Sequence, residues 1–144
     1  MALYRPQEPA RDATPCPEQP ELHVFVYGTL RRGEANDINR LMPAPRYLGQ
    51  ARIRGALYDL GPYPGVVLGG EAWVRGEVYA ITPELESELD RIEEVAPVPS
   101  GEYARRHVDV EVDGQPLLCL VYEIDARRVQ GRPRIVTGDW LRRR

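Results

Sequence analysis

The 144-residue chain carries 19 basic against 22 acidic residues, a formal net charge of −3 that argues against a dedicated nucleic-acid binder. Its 42% hydrophobic content is enough to fill one core, so a single domain is expected. No apolar run approaches the ~20 residues needed to cross a bilayer, and the N-terminus lacks the basic-then-apolar pattern of a signal peptide, so a cytoplasmic protein without membrane partners is expected.

Two cysteines, Cys16 and Cys119, and two histidines, His23 and His107, supply neither a disulfide framework nor a zinc ligand set nor a His-based triad. No metal chemistry is therefore expected. All 19 basic residues are Arg, and the terminal Arg142-Arg143-Arg144 reads as a solvated end.

Residues 1–21 are rich in Pro, Glu, Gln and Asp, with too little apolar content to offset the entropy of ordering, and read as a disordered tail before a domain over 22–144. Leu22 to Tyr27 is continuously apolar and ends at Gly28, the pattern of a central strand. A short helix is expected from about Asn36, with Ile38, Leu41 and Met42 at helical spacing. Tyr47 to Leu60 alternates loosely. The segment Gly61-Pro62-Tyr63-Pro64-Gly65 then forces a turn, predicting two strands around a rigid corner.

Trp73 to Ile81 reads as a further strand. Thr82-Pro83-Glu84 is a helix start, with Thr as N-cap and Pro at the first helical position, and the helix should run to about Glu94 before Pro97 and Pro99. Tyr103 to Val112 places Val108, Val110 and Val112 on one face and His107, Asp109 and Glu111 on the other. Asp113-Gly114 is a hairpin turn into a last strand, Leu117 to Ile124. Beyond it the chain looks irregular, with Trp140 and Leu141 as anchors. Strands outnumber helices, which predicts an α+β fold with a closed or strongly curved sheet carrying two helices.

Two features could carry chemistry. A strand ending at Gly28 exposes consecutive backbone N–H groups able to cradle a carboxylate or oxyanion, although a plain strand terminus has the same sequence. On the helix from Thr82, the stripe Leu85, Leu89 and Ile92 faces the core, and Glu93 falls on its shoulder while Glu94 points away. A carboxylate at that border loses hydration, which raises its pKa toward the range useful for proton transfer; a helix-edge acid paired with Arg105 or Arg106 is the alternative. Tyr103 and Arg105 add a hydroxyl and a cation nearby.

Taken in order, Val26-Tyr27-Gly28-Thr29-Leu30-Arg31-Arg32-Gly33 with Asn36, Gly55-Ala56-Leu57-Tyr58-Asp59-Leu60 with Tyr63-Pro64-Gly65, Val74-Arg75-Gly76-Glu77-Val78-Tyr79, Leu89-Asp90-Arg91-Ile92-Glu93, Tyr103-Ala104-Arg105 and Gly138-Asp139-Trp140-Leu141 resemble the γ-glutamyl cyclotransferase-like family. The resemblance is to its γ-glutamylamine cyclotransferase and AIG2-like branch and spans about Val24 to Leu141. It implies a small closed mixed β-barrel with a few flanking helices.

The activity implied is cleavage of a small-molecule γ-glutamyl amide by its own α-amine, releasing 5-oxoproline and an amine without a cofactor. The implied roles are Glu93 as general acid/base and Tyr27, Gly28, Thr29, Leu30 and Tyr103 as substrate-binding residues. The segment from Glu94 to Glu102 departs from the glycine that often follows the family's glutamate. A non-catalytic binder of the same fold and a biosynthetic enzyme removing a γ-glutamyl group are the two alternatives.

Overall fold

The computed structural model describes residues 22–92 and 102–143. The tail expected over 1–21 and the candidate base Glu93 lie outside them.

Five strands form one mixed sheet: β1 (Leu22–Val26), β2 (Arg46–Asp59), β3 (Pro64–Ile81), β4 (Tyr103–Val112) and β5 (Gln115–Ile124), in the order β2-β3-β1-β5-β4. Strand β1 is antiparallel to β3 and parallel to β5, so the apolar first segment lies at the centre. Its side chains alternate between two apolar cores. Val24 and Val26 join one beneath the helix α1 (Pro83–Ile92), with Leu85, Leu89 and Tyr122; Phe25 joins a second with Ile53, Val78, Val110 and Val121. Burial on both faces explains why β1 is apolar without a break.

Ile53 of β2 and Val110 of β4 come from opposite edges of the strand order yet share that second core, so the sheet curls on itself. The edges meet through side chains: a Cβ built on Gly49 of β2 would lie 3.0 Å from Val112 Cγ1 of β4. This is the α+β architecture expected, a strongly curled mixed barrel with flanking helices.

The strand expected after the 61–65 corner and the further strand expected over Trp73 to Ile81 are a single strand. Gly69 and Gly70 have φ of 99° and 84°, and the ladder jumps from Arg54 opposite Trp73 to Gly55 opposite Leu68, leaving residues 69–72 without register partners. A bulge of this kind interrupts the ladder without ending the strand.

At α1 the Thr82 Oγ1 accepts a hydrogen bond from Leu85 N at 3.1 Å, the N-cap expected. The hairpin between β4 and β5 turns through Asp113 and Gly114 at φ of 51° and 81°, the left-handed pair of a type I′ turn. The helix expected near Asn36 is a single 3₁₀ turn, Ile38–Arg40, capped by the Asp37 carboxylate. Burial pushes the Asp37 pKa up, but hydrogen bonds from Gly33 and Asn39 outweigh it and hold the carboxyl below its ordinary value.

The C-terminal segment is less irregular than expected. It pairs with β2 through Ile135 N to Leu57 O at 2.8 Å and Asp59 N to Pro133 O at 2.9 Å, and ends in a 3₁₀ turn at Trp140–Arg142. Trp140 is its buried anchor, with Nε1 donating to Glu34 Oε1 at 3.0 Å. Leu141 is 45% exposed and anchors nothing, because the 3₁₀ turn points it away from the face that Trp140 buries. Among the described residues no helix is long and apolar enough to cross a membrane.

Candidate active site

The chain leaves β1 at Tyr27 and turns at Gly28, which has an ordinary φ but no room for a side chain. A Cβ there would lie 2.6 Å from Pro64 Cγ and 2.8 Å from Pro64 Cδ. The glycine is what lets the Tyr63-Pro64-Gly65 segment press against the turn. The turn closes by Arg31 N donating to Gly28 O at 3.0 Å, and Asn36 N and Ile38 N return to Thr29 O and Leu30 O. The carbonyls of Gly28, Thr29 and Leu30 are thus used, while their three consecutive N–H groups bond to no described residue. Such a run of unpaired donors is suited to a carboxylate or a developing oxyanion.

The turn is held by a buried ionic cluster. Arg31 donates from Nε to Glu77 Oε2 at 3.1 Å and from Nη1 to Asp139 Oδ1 at 2.7 Å. Glu77 Oε1 also accepts from Arg32 N at 3.1 Å and from the Tyr79 hydroxyl at 2.9 Å. That phenol sits in the core, where burial first and the neighbouring Glu77 second push its pKa up to about 12, so it stays a donor. One guanidinium therefore ties the loop after β1 to β3 and to the C-terminal segment.

Beside the turn lies a cavity of about 310 Å³, with Thr29, Asn36, Tyr63, Ile92, Glu102 and Tyr103 in its wall. Asn36 Nδ2 donates to Thr29 Oγ1 at 3.1 Å, fixing the hydroxyl beside the donor run. The Tyr63 hydroxyl donates to the Glu102 carboxylate, and Tyr103 donates to Pro64 O at 2.7 Å. Two tyrosines and a carboxylate from two distant segments thus converge on one wall.

The helix that leads toward Glu93 is fastened at its C-terminal half. Asp90, buried, accepts from the Tyr122 hydroxyl at 2.7 Å and pairs with Arg105, whose other nitrogen meets Glu86 Oε2 at 2.5 Å. Arg106 pairs with Glu123 instead. Both arginines considered as partners for Glu93 are thus engaged by other carboxylates. Leu85 and Leu89 are fully buried, as the helical phasing requires, and Ile92, the residue before Glu93, is half-buried and lines the cavity.

Of the expected site residues, Thr29 and Tyr103 line the cavity directly and Gly28 forms the turn next to it. The side chains of Tyr27 and Leu30 are elsewhere: Tyr27 donates to Tyr122 O at 2.7 Å within the core, and Leu30 packs against the α1 cluster. These two present only backbone to a ligand. Tyr63 and Glu102 were not expected there. The Gly61 to Gly65 segment reads as a rigid corner, yet its Pro62 and Tyr63 form part of the cavity wall. The only hint of Glu102 is its place immediately before Tyr103. Among the described residues no group of three or more His, Cys, Asp or Glu could hold a metal ion.

The central strand of the curled mixed sheet thus ends in a donor-rich glycine turn beside a small polar cavity with room for a small molecule. The family described as "Gamma-glutamyl cyclotransferase, AIG2-like" matches residues 24–142, and the chain belongs to it; it is a γ-glutamylcyclotransferase-like enzyme. The chain is 37% identical over 123 residues to the Escherichia coli K12 gamma-glutamylcyclotransferase family protein YtfP, covering 85% of this chain and 98% of that one. It is 40% identical over 73 residues, half of this chain and 46% of the other, to the gamma-L-glutamyl-butirosin B gamma-glutamyl cyclotransferase of Niallia circulans. The crystal structure of an AIG2-like protein from Mus musculus superposes with a TM-score of 0.66 at 26% identity, over 78% of this chain and 84% of that one.

Proposed function

We propose that the protein cleaves γ-glutamylamines and related γ-glutamyl amides to 5-oxoproline and a free amine. The substrate's α-ammonium loses a proton to the Glu93 carboxylate, and the freed amine attacks the γ-carbonyl. The tetrahedral oxyanion settles on the N–H groups of Gly28, Thr29 and Leu30. Glu93 returns its proton to the departing nitrogen, the C–N bond breaks as the carbonyl re-forms, and the surplus proton of the ring nitrogen passes to the released amine, leaving the lactam N–H. No protein nucleophile and no water enter the reaction.

The observation that carries this reading is the run of unpaired N–H groups at Gly28 to Leu30 next to a cavity that Ile92, the neighbour of Glu93 in the chain, also lines. Donors placed where charge develops are commonly the largest single contribution to such a reaction, and holding amine and carbonyl together adds several kcal/mol. Glu102 supports the reading further. Its carboxylate is oriented by Tyr63 in the same wall and supplies negative charge for the substrate's α-ammonium. Incubation with a panel of γ-glutamylamines, with 5-oxoproline measured by mass spectrometry, tests the activity; the Glu93→Gln protein should release none.

A second reading is removal of a γ-glutamyl group from a biosynthetic intermediate, favoured by the likeness to the Niallia circulans enzyme over half the chain. A γ-glutamyl aminoglycoside in the same panel separates the two: turnover of it well above that of simple γ-glutamylamines selects this reading.

A further inference from the structure

A second concavity, about 1230 Å³, shares no lining residue with the candidate active site. Its basic wall is the outward face of the β2–β3 hairpin. Arg52 and Arg54 of β2 stand across the ladder from Arg75 and Trp73 of β3 respectively, and Arg142 joins them from the C-terminal turn. Arg52 and Arg75 are direct cross-strand partners, a like-charge opposition that destabilises a sheet.

Some arginines among the described residues are paired with carboxylates, Arg31 at the rim of the same trough included. Arg31, Arg91, Arg105, Arg106 and Arg127 each have a carboxylate within ion-pair distance. Among the described residues Arg52, Arg54, Arg75 and Arg142 have none, in a chain whose net charge is −3. The guanidinium carbons of Arg52 and Arg54 lie 4.2 and 3.7 Å from the Trp73 ring centroid, and Arg54 Nη1 donates to Glu71 O at 2.6 Å. Stacking fixes the direction of a guanidinium and leaves its charge and most in-plane N–H donors available. The hairpin thus holds oriented, unneutralised cations side by side.

We propose that this trough is a binding site for a compact multivalent oxyanion of the di- or triphosphate type. The planar forks of Arg52, Arg54 and Arg75 match phosphate oxygens, and binding would relieve the Arg52–Arg75 opposition. Two further features set the class of ligand. Trp73 is already stacked on guanidinium groups, so its ring is not a platform for a nucleobase. Asp109 and Glu111 line the trough from β4 and would repel a long polyanion lying across it, which disfavours a nucleic-acid strand.

Calorimetric titration of the full-length protein with inorganic triphosphate, and separately with ATP, tests the site. Saturable 1:1 binding of triphosphate is expected, weakening as salt is raised, at least tenfold weaker in Arg52→Gln/Arg75→Gln and tighter in Asp109→Asn/Glu111→Gln. ATP should bind no more tightly than triphosphate, as recognition through phosphates alone requires. A thermal midpoint no lower than wild type in Arg52→Gln/Arg75→Gln shows that the lost binding is not lost folding. Absence of saturable triphosphate binding, wild-type affinity in the arginine double variant, or ATP binding without triphosphate binding would each overturn the proposal.

Discussion

Arg31 and Asp139 are 108 positions apart, yet their buried side chains meet at 2.7 Å, and the same guanidinium reaches Glu77 at 3.1 Å. The turn carrying the unpaired N–H groups is therefore held in place from the far end of the chain. Removing the cation leaves two buried carboxylates uncompensated, so Arg31→Ala should cost about 3–5 kcal/mol in urea unfolding. Asp139→Asn keeps the shape and should cost less. Comparable losses in the two variants would count against Arg31 as the centre of the cluster.

Gly28→Ala places a methyl group within 2.6 Å of the Pro64 ring, so the turn must shift away from the Tyr63 to Gly65 segment. Overpacking of this kind costs about 1–3 kcal/mol. Displacing the donor run should lower kcat by about a hundredfold, the scale for losing one oxyanion donor. Adding Pro64→Ala to this variant should recover part of both losses, a coupling that a double-mutant cycle measures directly.

Glu102→Gln retains an acceptor for the Tyr63 hydroxyl and removes only the charge. If Glu102 attracts the substrate's α-ammonium, KM should rise about tenfold, equivalent to about 1.4 kcal/mol, with kcat changed little. A fall in kcat at unchanged KM would show that Glu102 acts on the chemical step instead.

Cys119 is fully buried, and burial, followed by the field of Asp109, pushes its thiol up to about 12. In a Cys16→Ser background the native protein should resist alkylation at pH 8.5, where an unfolded thiol is about half ionised, and label fully once denatured. The folded pKa is raised, so the unfolded chain alone releases this proton between about 8.5 and 12. Stability should therefore be complete below about pH 8.5 and fall as pH rises through that window.

What the sequence disclosed was local. The alternation of Val108, Val110 and Val112 against His107, Asp109 and Glu111 predicts β4, and Asp113-Gly114 predicts its hairpin, because both signals lie within a few neighbouring residues. The Thr82-Pro83 helix start and the central position of β1 were legible for the same reason. Relations between distant segments were not. Tyr63 and Glu102 are 39 positions apart and meet only because the corner after β2 folds over the start of β4. Trp73 to Ile81 reads as a separate strand because the sequence does not reveal that β2 runs on beside both halves of β3. The position of Glu93 was expected from the phase of a helix whose described residues end at Ile92.

The central claim is that Glu93 moves the proton in ring closure. Single-turnover release of 5-oxoproline from a γ-glutamylamine, compared among the wild type, Glu93→Gln and Glu94→Gln, tests it most directly. The account predicts release by the wild type and by Glu94→Gln, and none by Glu93→Gln despite an unchanged thermal midpoint and retained substrate binding. Turnover by Glu93→Gln at the wild-type rate, or loss confined to Glu94→Gln, would contradict it.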